Sequence, residues 1–239
     1  MSTRSDLLSE LSNKDFFRVF VGTLGMIFLA VIGFTLLGDR RLLGNDELSP
    51  SILSIVQDYT YAALILLGVY VFCIRMARVS WTAIGFRACS VDWLVRAFLV
   101  GVLLYCARIL LDNLMFEFFN QQRMLEPLTT DRATLEGGSV WLSAAYIFAV
   151  IILTPIVTEI FQRGILFAWL RRNFNFIFSS IASAIIFGAL HIEIVRYVQA
   201  MMFGILAAYL YEKARSLWPP LVFHVTVSAA YVIGVMGWS

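Results

Sequence analysis

The sequence predicts an all-α membrane protein that crosses the bilayer about seven times. Composition points there first. The chain is 60% hydrophobic and only 14% charged, against roughly half and about a quarter in soluble domains. Its mean hydropathy is +0.83. Segment length is the second sign, because about 20 apolar residues make one helical crossing. Seven stretches qualify, at about 17–37, 52–74, 91–116, 140–170, 175–192, 195–212 and 219–238. At 239 residues there is room for one membrane domain and no sizeable soluble one.

The first stretch is expected to be a retained membrane helix, because it is long for a signal segment and no small-x-small cleavage pattern follows it. The third carries Arg96, Arg108 and Asp112 among apolar residues. Between the third and fourth lies the only sizeable polar loop, 120–138, expected to cap the domain or lie along its surface. The fourth is more than thirty residues long and contains Pro155. Proline removes a backbone donor, so a kink or break is expected there. A Pro219-Pro220 pair opens the seventh.

Lys and Arg collect near the start (Arg4, Lys14, Arg18), between the second and third stretches (Arg75, Arg78, Arg87), after the fourth (Arg171, Arg172) and before the seventh (Lys213, Arg215). With seven alternating helices these fall on one side. The positive-inside rule then places the N-terminus in the cytoplasm, with Arg40-Arg41 as the opposing signal. The expected location is a bacterial inner (plasma) membrane. No basic run suggests nucleic acid. Cys73, Cys89 and Cys106 form neither CxxC nor metal spacing, and they read as small hydrophobes.

The stretch Thr154 to Arg163, T-P-I-V-T-E-I-F-Q-R, puts an acid and a base inside an apolar segment. Glu159 and Arg163 are four residues apart and share a helix face. An ionisable pair at membrane depth marks either a functional site or a buried pair locking helices together. The chain has two histidines, His191 and His224, both in the C-terminal apolar segments. A buried imidazole needs partners, so the two point with Glu159 to a shared interior site. Glu159 and His191 are at related depths, about 21 and 27 Å from the turn near Asn173. His224 is only about 9 Å past Pro219-Pro220. Convergence therefore requires the fourth and fifth helices to project beyond the seventh.

T-P-I-V-T-E-I-F-Q-R-G, F-G-A-L-H from Phe187, and S-L-W-P-P-L-V-F-H ending at His224 resemble the CAAX protease and bacteriocin-processing family of Rce1-like intramembrane endopeptidases. The likeness covers about 140–235, the expected core within 140–239. Residues 1–139 resemble nothing specific. The resemblance implies a site between the C-terminal four helices. Glu159 would be the second Glu of an E-E-x-x-x-R motif and Arg163 its Arg. Phe187 and His191 would fill the second motif, and His224 the third. In such proteins the first Glu and the second-motif His activate water, while the third-motif His and an Asn stabilise the oxyanion.

Two positions depart from the pattern: Thr158 stands where the first Glu is expected and Ser228 where the Asn is expected. Gln162 also replaces a residue that is usually apolar. A threonine hydroxyl is no carboxylate base, whereas a serine can still donate a hydrogen bond. Two functions follow as expectations. One is cleavage of membrane-associated peptides or proteins by water activated by Glu159 and histidine. The other is an impaired pseudo-protease that binds a membrane partner. A small transporter is a third and weaker reading. The resemblance implies glutamate-dependent chemistry without a metal, with zinc on two His and one Glu as the variant. Bilayer lipid and a membrane-bound peptide or protein are the expected partners.

Overall fold

The computed structural model describes residues 12–37, 50–119, 132, 134–135, 139–189 and 194–237. Arg4, Arg40-Arg41, most of the polar loop and His191 lie outside them. Among the described residues there are helices and no strands. We number them α1 (Asn13–Leu37), α2 (Pro50–Gly68, continued by the wider π-type turns Val69–Met76), the four-residue α3 (Trp81–Ile84), α4 (Val91–Phe119), α5 (Val140–Asn173), α6 (Phe176–Gly188), α7 (Ile194–Ala214) and α8 (Trp218–Gly237).

Six of these are long and apolar enough to cross a membrane, one fewer than the seven expected. The exception is α6. Its 13 residues span only about 20 Å, short of the ~30 Å hydrocarbon core. Asn175 caps its start, accepting from the Phe178 N–H.

Pro155 does not break α5. The helix widens into π-type turns at Ala149–Leu153, just before the proline, and again at Ile160–Phe167. An i→i+5 turn tolerates the missing donor and relieves the ring's clash with the preceding turn. The prolines of α8 are no break either. They fill its first turn, where a backbone donor has no helical partner to lose.

The basic connections gather at one end. Asn13 of α1 accepts from Trp169 and Arg172 near the end of α5, and Phe16 stacks on Trp169 at 4.0 Å. Arg171 pairs with Glu212 of α7 at 2.9 Å. Ser216 donates to the Arg87 carbonyl at 2.6 Å. The four clusters expected on one side are thus brought together where described, and the opposite ends of α4, α5 and α7 face the other way. At this opposite end Thr134 is buried, and Ser143 donates to the Leu135 carbonyl at 3.1 Å. That part of the polar loop packs onto α5.

The main apolar core fills the basic end. Phe16, Val69, Ile84, Ile165, Phe167, Tyr211 and Leu217 are all buried in it. The α3 turn is pinned there by Tyr211, which donates to the Ile84 carbonyl at 2.9 Å, and by the Leu217 N–H on the Gly85 carbonyl. Gly85 turns the chain at φ 122°, a conformation open chiefly to glycine.

Helices α5 and α7 run parallel, and α8 runs antiparallel to both. Leu217 packs beside Gly164, so α8 begins about nine residues, or ~14 Å, short of the end of α5. That offset removes the depth mismatch for His224. Helix α4 lies along α8, with Gly101 against Thr226. Helices α6 and α7 approach through Gly204, where a Cβ would sit 2.9 Å from the Ala184 Cβ and 3.0 Å from its Cα. Small residues at such crossings let membrane helices pack by backbone contact.

Gly204→Ala should therefore cost about 1–3 kcal/mol by overpacking. Gly25→Ala, with nothing within 4 Å of the added methyl, should leave stability unchanged or slightly raised. Thermal unfolding of both variants in detergent checks this; equal midpoints would contradict the close α6–α7 contact.

Candidate active site

Glu159 and Arg163 lie on the face of α5 turned toward α7 and α8. Both are buried, at 0% and 3% exposure. Arg163 Nη1 donates to Glu159 Oε1 at 3.3 Å, and Arg163 Nε stands 3.2 Å from Oε2. Arg163 Nη2 donates to the Gly204 carbonyl at 3.3 Å. The guanidinium sits 5.5 Å from each of the Phe187 and Phe203 rings. An arginine can be held this deep because carboxylate, carbonyl and aromatic faces together replace its water. The wide turns of Ile160–Phe167 begin immediately after Glu159, a distortion common at functional sites.

His224 completes the group. Its Nδ1 lies 2.8 Å from Glu159 Oε1, and the Phe203 ring packs against the imidazole at 4.5 Å. Glu159 Oε2 has no aligned donor among the described residues, the Arg163 Nε–H pointing off its line. Oε1 thus meets both the guanidinium and the imidazole.

A cavity of about 510 Å³ adjoins this group. His224 and Ser228 line it from α8, Thr154 from α5, Phe187 from α6, and Phe203 and Gln199 from α7. Glu159 is sealed behind His224 and does not line it. Among the described residues His224 makes its hydrogen bond through Nδ1. A carboxylate behind one ring nitrogen fixes the orientation of an imidazole that works through the other.

The structure brings together Glu159, Arg163, Phe187 and His224, with Ser228 one turn beyond His224 on the same wall. His191 lies outside the described residues. Thr158 is partly buried but does not line the cavity; Thr154, one turn earlier, does. Gln162 is buried, and its Oε1 has no partner among the described residues. The walls are not confined to the C-terminal four helices, since Leu104, Arg108 and Leu111 of α4 and Asp58 of α2 also line the cavity. Arg108 stands 3.5 Å from Asp112 and 4.8 Å over the Tyr231 ring. Gln199 donates to Asp112 at 2.6 Å. Their signal in the sequence was charge within apolar spans. No three His, Cys, Asp or Glu side chains cluster as metal ligands among the described residues.

The fold and site define a polytopic helical membrane protein built around a buried carboxylate–arginine–histidine group. Residues 140–230 match the model of the family described as type II CAAX prenyl endopeptidase Rce1-like. The chain is also similar to the "Putative membrane peptidase YdiL" of Bacillus subtilis (strain 168), 32% identical over 82 residues. That stretch is 34% of this chain and 34% of the relative. No solved structure matches the chain. The chain's C-terminal region is thus similar to the Rce1-like CAAX protease family, and the matched stretch spans about a third of the relative's length.

The buried group makes a prediction about stability. Arg163→Met leaves a carboxylate buried without its cation and should cost about 3–5 kcal/mol. Adding Glu159→Leu should recover much of that loss. Unfolding of the single and double variants in detergent measures the coupling; a double variant no more stable than Arg163→Met would contradict a mutually dependent pair.

Proposed function

We propose that the chain is an intramembrane endopeptidase in which His224, oriented by Glu159, activates the attacking water. The observation that carries this is the 2.8 Å contact between the fully buried Glu159 and a histidine lining the cavity. Glu159 and Arg163 already cancel, so a neutral imidazole leaves the buried trio uncharged. With its proton on Nδ1 toward the carboxylate, Nε2 is an acceptor facing the cavity. An acceptor takes a proton from water. It does not donate to an oxyanion, the role that the family pattern suggests for this histidine.

The reaction then runs on the chain's own residues. His224 Nε2 takes a proton from water as its oxygen bonds to the scissile carbonyl carbon. The tetrahedral oxyanion accepts from a hydroxyl of the wall, Ser228 or Thr154. Its collapse breaks the C–N bond, and the imidazolium returns the proton to the leaving amine. Glu159 is a positioning residue here, because its Oε1 already accepts from Arg163 and His224. Arg163 in turn anchors Glu159 to the α7 backbone at Gly204. This assignment calls for no carboxylate at position 158, so Thr158 is compatible with activity. Substrates of this kind are membrane-associated peptides or proteins, met in the bilayer with the N-terminus of the chain cytoplasmic.

A second reading is supported by Thr158 itself. If the missing carboxylate is indispensable, the same cavity binds a membrane peptide without cleaving it.

Cleavage of a panel of tagged membrane peptides by purified protein separates the two. His224→Gln should lower the rate by about 10²–10⁴, while Thr158→Val should change it no more than a few-fold. An inactive parent that gains cleavage on Thr158→Glu would establish the binding reading. Metal analysis of the same sample should find well under about one zinc per chain; a stoichiometric metal would overturn the proposed chemistry.

A further inference from the structure

The cavity has a direction. On the basic side of the Glu159–Arg163 level, every residue from Ile160 to Phe167 is buried. Ile84 of the α3 turn, Tyr211 and Leu217 close the same end, each at 0% exposure. Gly164 is packed so tightly against Ile84 that no side chain fits between them. Nothing in that layer lines the cavity.

On the other side the lining continues away from the basic connections. Along α7 it runs from Phe203 back to Arg196, two residues from the helix start, a depth of about 10 Å. Along α8 it descends from His224 to Tyr231. On α5 it climbs from Thr154 to Tyr146, and on α4 it follows Leu104 to Leu111. All four courses lead to the same end of the molecule.

Polarity rises along that course. Phe187, Phe203 and Val227 surround the histidine, whereas Asp58, Arg108, Arg196 and Gln199 line the far part. Charged side chains in membrane-crossing helices persist where they meet water or one another. Here they form the wall of one continuous space, with Arg108 and Gln199 both directed to Asp112. A peptide with polar or charged side chains meets matching polar groups along this wall, which a purely apolar chain would not.

We propose that the site is entered from the face opposite the Arg/Lys-rich connections, and that it takes a polypeptide segment bearing polar or charged side chains from that face. The positive-inside rule makes this face the extracytoplasmic one. The substrate class rests on the peptidase reading; the direction of entry does not.

Directional thiol labelling tests the entry. In a chain with Cys73, Cys89 and Cys106 replaced by alanine, Val227→Cys and, separately, Leu111→Cys place a thiol on the cavity wall. Arg172→Cys marks the basic end, and Trp141→Cys marks the opposite end. A sulfonated, membrane-impermeant maleimide is applied to right-side-out and to inverted membrane vesicles. Both cavity thiols should react about tenfold or more faster in the vesicles whose outer face labels Trp141→Cys, because a charged reagent does not cross the hydrocarbon. Faster reaction from the Arg172→Cys side, equal reaction from both sides, or none from either for both thiols would overturn the proposal. Labelling after denaturation confirms that each thiol is present. Because no cleavage is measured, failure of the peptidase reading leaves this result standing, and failure of the entry route leaves the cleavage assay standing.

Discussion

Burying Glu159 is the constraint on which the rest of the site depends. A lone carboxylate taken out of water costs several kcal/mol even after relaxation. The chain meets that cost with Arg163 four residues on and with His224 from α8. Each partner then needs its own place. Arg163 is held by the Gly204 carbonyl and by two aromatic rings, and those contacts require α7 and α6 to come close. Gly204 allows that approach, because a side chain there would meet the Ala184 backbone. One buried charge therefore fixes the relative placement of four helices.

The same constraint sorts the roles. A carboxylate engaged by a guanidinium and an imidazole is a poor candidate for a freely working base. It is well suited to holding the imidazole in one tautomer. The proposed chemistry therefore rests on the other ring nitrogen, Nε2 of His224. The packed basic end and the polar opposite end complete the picture. The cavity lining runs from the histidine toward the opposite end, while Ile84, Phe167, Tyr211 and Leu217 are buried in the core at the basic end.

Much of this was legible in the sequence because membrane segments write their constraints plainly. Charged residues in apolar runs were conspicuous, and Glu159, Arg163 and His224 were found on that signal. The family pattern then linked Phe187 to them. Other features were less legible. Helix α6 was expected as a full crossing because apolar composition does not show where a helix stops. Pro155 was expected to kink or break α5, and the helix absorbs it by widening, a backbone adjustment without a residue signature of its own. Arg108 and Asp112 could be seen as unusual but not assigned, and Asp58 was not singled out. Which face each side chain takes depends on the rotation of α2 and α4 against α8. Thr154 was passed over for Thr158, since the motif directed attention to the position beside Glu159 and the widened turns set which hydroxyl meets the cavity.

The central claim is that Glu159 holds His224 with its proton on Nδ1 and leaves Nε2 free to accept one. Nitrogen-15 NMR of the histidine-labelled protein reads this directly. The chain has only two histidines, so His191→Asn assigns the signals. The account predicts a neutral His224 protonated at Nδ1 near neutral pH, with that preference lost in Glu159→Gln. A His224 protonated at Nε2, or a spectrum indifferent to Glu159→Gln, would contradict it.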